Sequence, residues 1–143
     1  MPSFHEIFWQ FERFAVVGHS ARKNFPRLTY GGLKDRGKTV YPVDPSSETV
    51  EGDAAYPDLA SLPGPVDAVV IEVPRDETER WVRRAAEAGI KDVWLHQLSD
   101  TPEAVALAEQ EGIRLRTGNC AVMYLRNGYH TIHRFIWRLR GRY

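Results

Sequence analysis

The chain has 143 residues, 43% of them apolar, which is material for one hydrophobic core and little for a second. Nineteen basic residues offset nineteen acidic ones, so no excess charge draws the whole molecule to nucleic acid or to an anionic membrane. Cys120 is the sole cysteine, which excludes an intrachain disulfide framework, and no run approaches the roughly 20 apolar residues that cross a bilayer.

At the amino end, Ser3 and Glu6 form a capping-box pair, and Phe4, Ile7, Phe8 and Phe11 fall on one stripe. They predict an N-terminal helix that covers one side of the fold. No basic lead runs into a long apolar stretch there, so a soluble, cytoplasmic protein is expected.

Five short apolar runs come next, each breaking into Gly, Pro or small polar residues: Phe14 to Val17, Thr39 to Tyr41, Ala68 to Ile71, Asp92 to Leu95 and Ile113 to Leu115. Their length and punctuation predict strands. Pro42 cannot donate a ladder hydrogen bond and so marks the end of the second. Ser46 to Asp53 reads as a surface loop ahead of Tyr56-Pro57-Asp58-Leu59.

Between the runs the apolar spacing becomes helical. Pro26 to Arg36 is the weakest crossover, because each of Gly31 and Gly32 costs roughly 1 kcal/mol relative to Ala inside a helix; paired glycines also permit close packing on a sheet or a ligand. Thr78, Trp81, Val82, Ala85 and Ala86 give the next helix one apolar face, with Gly89 at its end. In the following crossover Thr101 caps, Pro102 takes the first helical position, Ala104, Val105, Leu107 and Ala108 form the face, and Gly112 terminates. Strands alternating with such crossovers predict one domain over 1–143: a Rossmann-like, doubly wound α/β fold whose five parallel strands lie between two layers of helix. The breaks after the five runs then share the carboxyl edge, where open parallel sheets bind ligands.

No acidic residue follows Glu111, whereas Arg114, Arg116, Arg126, Arg134, Arg138, Arg140 and Arg142 do. A basic amphipathic helix is predicted over 125–143, with Tyr129, Ile132, Ile136 and Leu139 on one face and Arg134, Arg138 and Arg142 on another. It offers a homodimer contact through Phe135 and Trp137, or an interaction surface for an anionic partner. His19, His96, His130 and His133 have no oriented partner at readable spacing, and no cluster has metal-ligand spacing, so neither a catalytic constellation nor a metal is predicted.

The ordered set Ala15-Val16-Val17-Gly18-His19-Ser20, Val40-Tyr41-Pro42-Val43-Asp44-Pro45, Tyr56-Pro57-Asp58-Leu59, Val66 to Val70 with Val73-Pro74, Val93-Trp94-Leu95-His96-Gln97 and Asn119-Cys120 resembles the small CoA-binding proteins. These look like the N-terminal domain of the succinyl-CoA synthetase α subunit standing alone, and the resemblance spans residues 12 to 124. It implies non-covalent binding of coenzyme A or an acyl-CoA across the carboxyl edge, in a sensor or carrier role. The resemblance assigns Gly18, His19 and Ser20, with Ala21, Arg22 and Lys23, to a turn that receives the phosphates. Val43, Asp44 and Pro45 fall beside the adenine or ribose, Val73 and Pro74 on the next wall, and His96 and Gln97 beside the pantetheine arm. Asn119 and Cys120 match the Asn-Cys pair of the synthetase domain.

The residues themselves agree in part. A glycine-bearing turn before a helix presents free N–H groups to phosphate, and Arg22, Lys23 and Arg27 add charge for a ligand with three phosphate groups. Cys120 is either a small buried residue or a thiol able to form a mixed disulfide with CoA. Ligase activity is not implied, since a phosphohistidine-bearing domain has no room in this chain. The chain departs from the pattern at Leu98-Ser99, where many members place Gly, and at Asp44, where Asn is common. An acidic residue there is a ribose ligand in dinucleotide-binding folds, so the alternative is an NAD(P)-dependent oxidoreductase. Its fingerprint is incomplete: Gly18-His19-Ser20-Ala21-Arg22-Lys23 lacks the second and third glycines of G-x-G-x-x-G.

Overall fold

The computed structural model describes residues 4–21, 25–96 and 99–117. Arg22, Lys23, Gln97, Asn119, Cys120 and the helix predicted over 125–143 lie outside the described residues. Five parallel strands, β1 (Arg13–Gly18), β2 (Thr39–Val43), β5 (Ala68–Glu72), β6 (Asp92–Leu95) and β7 (Arg114–Arg116), form one sheet in the order β2-β1-β5-β6-β7. The elements numbered between them, β3 (Thr49–Val50) and β4 (Asp53–Ala54), form a separate antiparallel hairpin. From β1 the chain first adds β2 on one side and then returns to add β5, β6 and β7 on the other, so β1 and β5 flank the switch point at which doubly wound sheets open a crevice.

Alternation along each strand divides the apolar residues between two cores. Ala15, Val17, Val43, Val69, Ile71, Val93 and Leu95 meet Trp81, Val82 and Ala85 of α3 (Arg75–Glu87) and Ala104, Leu107 and Ala108 of α4 (Pro102–Gln110). On the other face, Phe14, Val16, Ala68, Val70 and Trp94 meet Leu33 of α2 (Phe25–Asp35) together with Phe8 and Trp9. Both predicted helix ends hold: Gly89 and Gly112 adopt φ of +76° and +70°, and the Thr101 side chain accepts from the Ala104 N–H. Gly31-Gly32 does not break α2, which runs on to Asp35.

Several expectations are corrected. The amino-terminal helix α1 (Phe4–Phe8) has only five residues, too few to present the predicted stripe. Ile7 is 42% exposed, and the turn after Phe8 brings Trp9 inward instead, with ring centroids 4.8 Å from both Phe8 and Trp94. Val105 likewise faces outward from α4. The fifth strand begins at Arg114, one residue later than the apolar pattern predicts, with Ile113 buried just before it.

Pro42 does not end β2, which continues to Val43 at the edge of the sheet. Tyr56 N donates to the Pro42 carbonyl and Asp44 N to the Tyr56 carbonyl, both at 2.9 Å, so residues 42 and 44 turn their backbone groups away from β1. The N–H that proline lacks therefore removes no bond from the β1–β2 ladder. The predicted loop 46–53 contains β3 and reaches β4, closed by Glu51 and Gly52 at φ of +51° and +83°, the signature of a type I′ hairpin turn.

Candidate functional site

The carboxyl ends of β1, β2, β5 and β6 converge at the switch point, and side chains from the turns beyond them bind the turns to one another. Asp44 follows β2 and is 3% exposed. Its Oδ2 accepts from Ser20 N at 2.9 Å and Ser20 Oγ at 2.6 Å, and its Oδ1 accepts from Ser46 N at 2.9 Å and Ser46 Oγ at 2.6 Å. Burial acts to raise this carboxyl, but the bonds from Ser20 and Ser46 outweigh it and hold it below the usual carboxylate range. A carboxylate has about four acceptor sites, and here the chain itself fills them.

His19 joins the same turns to α3. Its Nε2 lies 2.8 and 3.0 Å from the two carboxylate oxygens of Glu77, and its Nδ1 lies 3.4 Å from Ser46 Oγ. Glu77 sits in the first turn of α3 and also accepts from Arg80 Nη2 at 3.0 Å. The turn after β6 is bound in similarly: Ser99 Oγ donates to the Val73 carbonyl at 2.8 Å, and Thr78 Oγ1 donates to the Ser99 carbonyl at 2.5 Å. Ser99, a departure from the family pattern, thus bridges the turns after β5 and β6.

A second polar group lies on the α2 side of the sheet. Glu72 ends β5 with its side chain 1% exposed, and His96 follows β6 at 8%. His96 Nδ1 is 3.0 Å from Glu72 Oε2, an ion-pair separation with the ring turned off the line of a straight hydrogen bond. Thr29 of α2 donates its hydroxyl to the same oxygen at 2.8 Å. Backbone bonds on both sides fix His96, its N–H to Ile71 O at 2.9 Å and its carbonyl from Ser99 N at 2.8 Å.

The predicted residues therefore divide. His19, Ser20 and Asp44 fall in the polar group beside α3, His96 falls in the separate one with Glu72 and Thr29, and Pro45 and Pro74 are exposed at the strand ends. Val43 and Val73 are instead buried in the α3–α4 core, so their part is to seat the turns. Arg27 lies on α2 with its Nε 3.8 Å from Glu51 Oε1. Sequence reading missed Thr29, Ser46, Glu72 and Glu77. For Glu72 a signal existed: a carboxylate continues the apolar run Ala68 to Ile71 in what proves a central strand. Among the described residues no cluster of His, Cys, Asp or Glu has the geometry to hold a metal ion, and no helix is long and apolar enough to cross a membrane.

A family model described as a CoA binding domain matches residues 12–126. Over 127 residues the chain is 28% identical to the alpha subunit of an ADP-forming acetate–CoA ligase II from Pyrococcus furiosus, covering 80% of this chain and 28% of that subunit. It is 26% identical over 125 residues to a trans-feruloyl-CoA synthase of an unknown prokaryotic organism, covering 74% of this chain and 17% of that protein. The chain thus spans less than a third of these curated relatives. Among solved structures, a hypothetical protein from Pyrococcus horikoshii OT3 superposes with a TM-score of 0.76 at 27% identity, covering 84% of this chain and 85% of that one. A conserved hypothetical protein from Pyrococcus furiosus gives 0.72 at 28% identity, covering 78% and 97%.

Proposed function

The chain belongs to the CoA-binding domain family, and from that premise we propose that it binds coenzyme A or an acyl-CoA, without covalent attachment, across the carboxyl edge where β1 and β5 part. The observation that supports this most is the clasp of Ser20, Ser46 and His19 around Asp44 and Glu77, which fixes the turns after β1 and β2 against α3 before any ligand arrives. Loops already ordered lose little conformational entropy on binding, which favours affinity. The role is that of a sensor or carrier in the cytoplasm, with the chemistry of acyl transfer left to other proteins.

The dinucleotide alternative loses its ribose ligand, because the Asp44 oxygens are already engaged by Ser20 and Ser46. Isothermal calorimetry of ligand-free protein against CoA, acetyl-CoA, NAD and NADP tests the reading. Heat is expected with CoA and none with NAD or NADP; binding of NAD alone would overturn it.

A further inference from the structure

A cleft lies apart from the carboxyl edge, beside the body of β2, which is an edge strand of the sheet. It measures about 280 Å3 and is bounded by α2, β2 and the residues of β4 and after, with Tyr30, Lys34, Lys38, Tyr41, Asp53 and Tyr56 in its walls. The Asp53 carboxylate accepts from the Tyr30 hydroxyl and, at 2.6 Å, from Lys34 Nζ, which ties the β3–β4 hairpin to α2. The Lys34 ammonium also lies 5.4 Å from the Tyr30 ring centroid. Tyr41 and Tyr56 meet edge to face, with ring centroids 6.1 Å apart and planes at 82°.

The two lysines of this cleft are matched differently. Lys34 has its counter-ion in Asp53 at 2.6 Å. Lys38, in the turn between α2 and β2, has a side chain only 13% exposed, and its Nζ lies 3.5 Å from Glu12, whose own side chain is 76% exposed. A carboxylate so open to water holds an ammonium only weakly. The cleft therefore combines aromatic surface with one largely covered cation whose charge is only partly met.

We propose that the cleft is a second binding site, for a single-ring aromatic carboxylate, with the ring against Tyr41 and Tyr56 and the carboxylate on Lys38 Nζ. Volume sets the size of the ligand: pockets for drug-sized molecules run to roughly 300–1,000 Å3, so this one takes one ring with its substituents and no nucleotide. Charge sets the sign. A neutral ring would cover the Lys38 ammonium further without a partner, whereas a carboxylate accepts a charge-assisted hydrogen bond from it. The tyrosines set the shape, since aromatic rings prefer another ring stacked with an offset or met edge to face. The bonds to Asp53 order two walls before the ligand arrives, which spares conformational entropy on binding. The proposal does not rest on the CoA reading, because these side chains belong neither to the Asp44 group nor to the Glu72 group.

The test is a titration of the full chain with benzoate, followed by two-dimensional amide NMR. Saturable shifts are expected at Val40, Tyr41, Ala54 and Tyr56. Benzamide keeps the ring without the charge and should bind about tenfold more weakly or worse; cyclohexanecarboxylate keeps the charge without the aromatic ring and should bind several-fold more weakly. Lys38→Met should also weaken benzoate about tenfold, with Lys38→Gln in its place if the first variant fails to fold. The proposal is overturned if no shift saturates, if a folded Lys38 variant binds benzoate as the wild type does, or if cyclohexanecarboxylate binds as tightly as benzoate. Shifts at the same four amides on adding CoA alone would assign the cleft to CoA and overturn it as well. Failure of CoA to bind anywhere would instead remove the CoA reading and leave this site standing.

Discussion

A methyl group at position 18 has no space to occupy: it would meet Pro26 Cγ at 2.3 Å and the Glu72 carbonyl oxygen at 2.9 Å. Gly18 is thus the point at which the first turn of α2 rests on the end of β1. Gly18→Ala must push that turn away, and overpacking of this kind costs about 1–3 kcal/mol. The expected result is a lower denaturant midpoint with an unchanged slope, since the unfolded chain is little altered. A glycine after a strand was legible in the sequence; that it serves contact between helix and strand was not, because the contact depends on where α2 settles. The same limit applies to the histidines. His19 and His96 were visible as candidates, but the Glu77 partner of His19 lies 58 residues away and only the folded sheet brings them together. Asp44 and Glu72 are both carboxylates just at or beyond a strand end, yet one is saturated with donors and the other is not, a difference set by neighbouring loops rather than by residue type.

The strands and helices were legible because their periods are strong, and the misreadings occur where a different force acts. Hairpin pairing extends structure into the loop after β2, and packing of Trp9 on Trp94 replaces the helical stripe in α1. The arginines that open the basic C-terminal quarter have the look of surface charge in the sequence, but β6 absorbs them. Asp92, 3% exposed, accepts from Arg114 Nη2 at 2.7 Å and from Arg116 Nη1 at 3.0 Å, and the Arg116 guanidinium lies 5.2 Å from the Phe8 ring centroid. Burial pulls Arg116 down, although Asp92 opposes it. Removing the carboxylate takes from the buried Arg116 guanidinium the ion-pair partner that lies 3.0 Å away. Asp92→Ala should therefore cost about 3–5 kcal/mol, whereas Arg116→Met, which leaves Asp92 paired with Arg114 and fills the space with apolar atoms, should cost far less. Equilibrium unfolding of the two variants checks the order; equal losses would mean that the pair acts only by filling volume.

For the molecule as a whole, four aspartates shape the response to acid. Lys34 and Tyr30 hold Asp53 below the ordinary range, and Arg13 does so for Asp67. At Asp44 and Asp92 burial pushes upward, but hydrogen bonds from the serines and the arginines prevail. Each folded-state value lies below its unfolded one, so the unfolded chain binds the proton more readily and stability is lost as pH falls. The contribution is complete above the unfolded carboxylate value of about 3.9 and disappears as pH descends through the lower folded values. Denaturant midpoints measured from pH 7 downward should fall steeply in that acid window, and Asp44→Asn should flatten part of the fall. The parallel sheet and its carboxyl edge could be foreseen from pattern alone, whereas this network of ties could not, because it joins turns that are distant in sequence. The border of the sheet also governs how copies of the chain behave toward each other. A free edge strand invites strands from other molecules to add to it, and proteins commonly blunt such edges. At β2 the outward-facing position 42 is a proline with no N–H to offer, and its carbonyl and the Asp44 N–H are already taken by Tyr56. The residue that interrupts the strand pattern in the sequence thus makes the carboxyl half of this border a poor template for aggregation, because an added strand would find neither a donor at position 42 nor a vacant acceptor there.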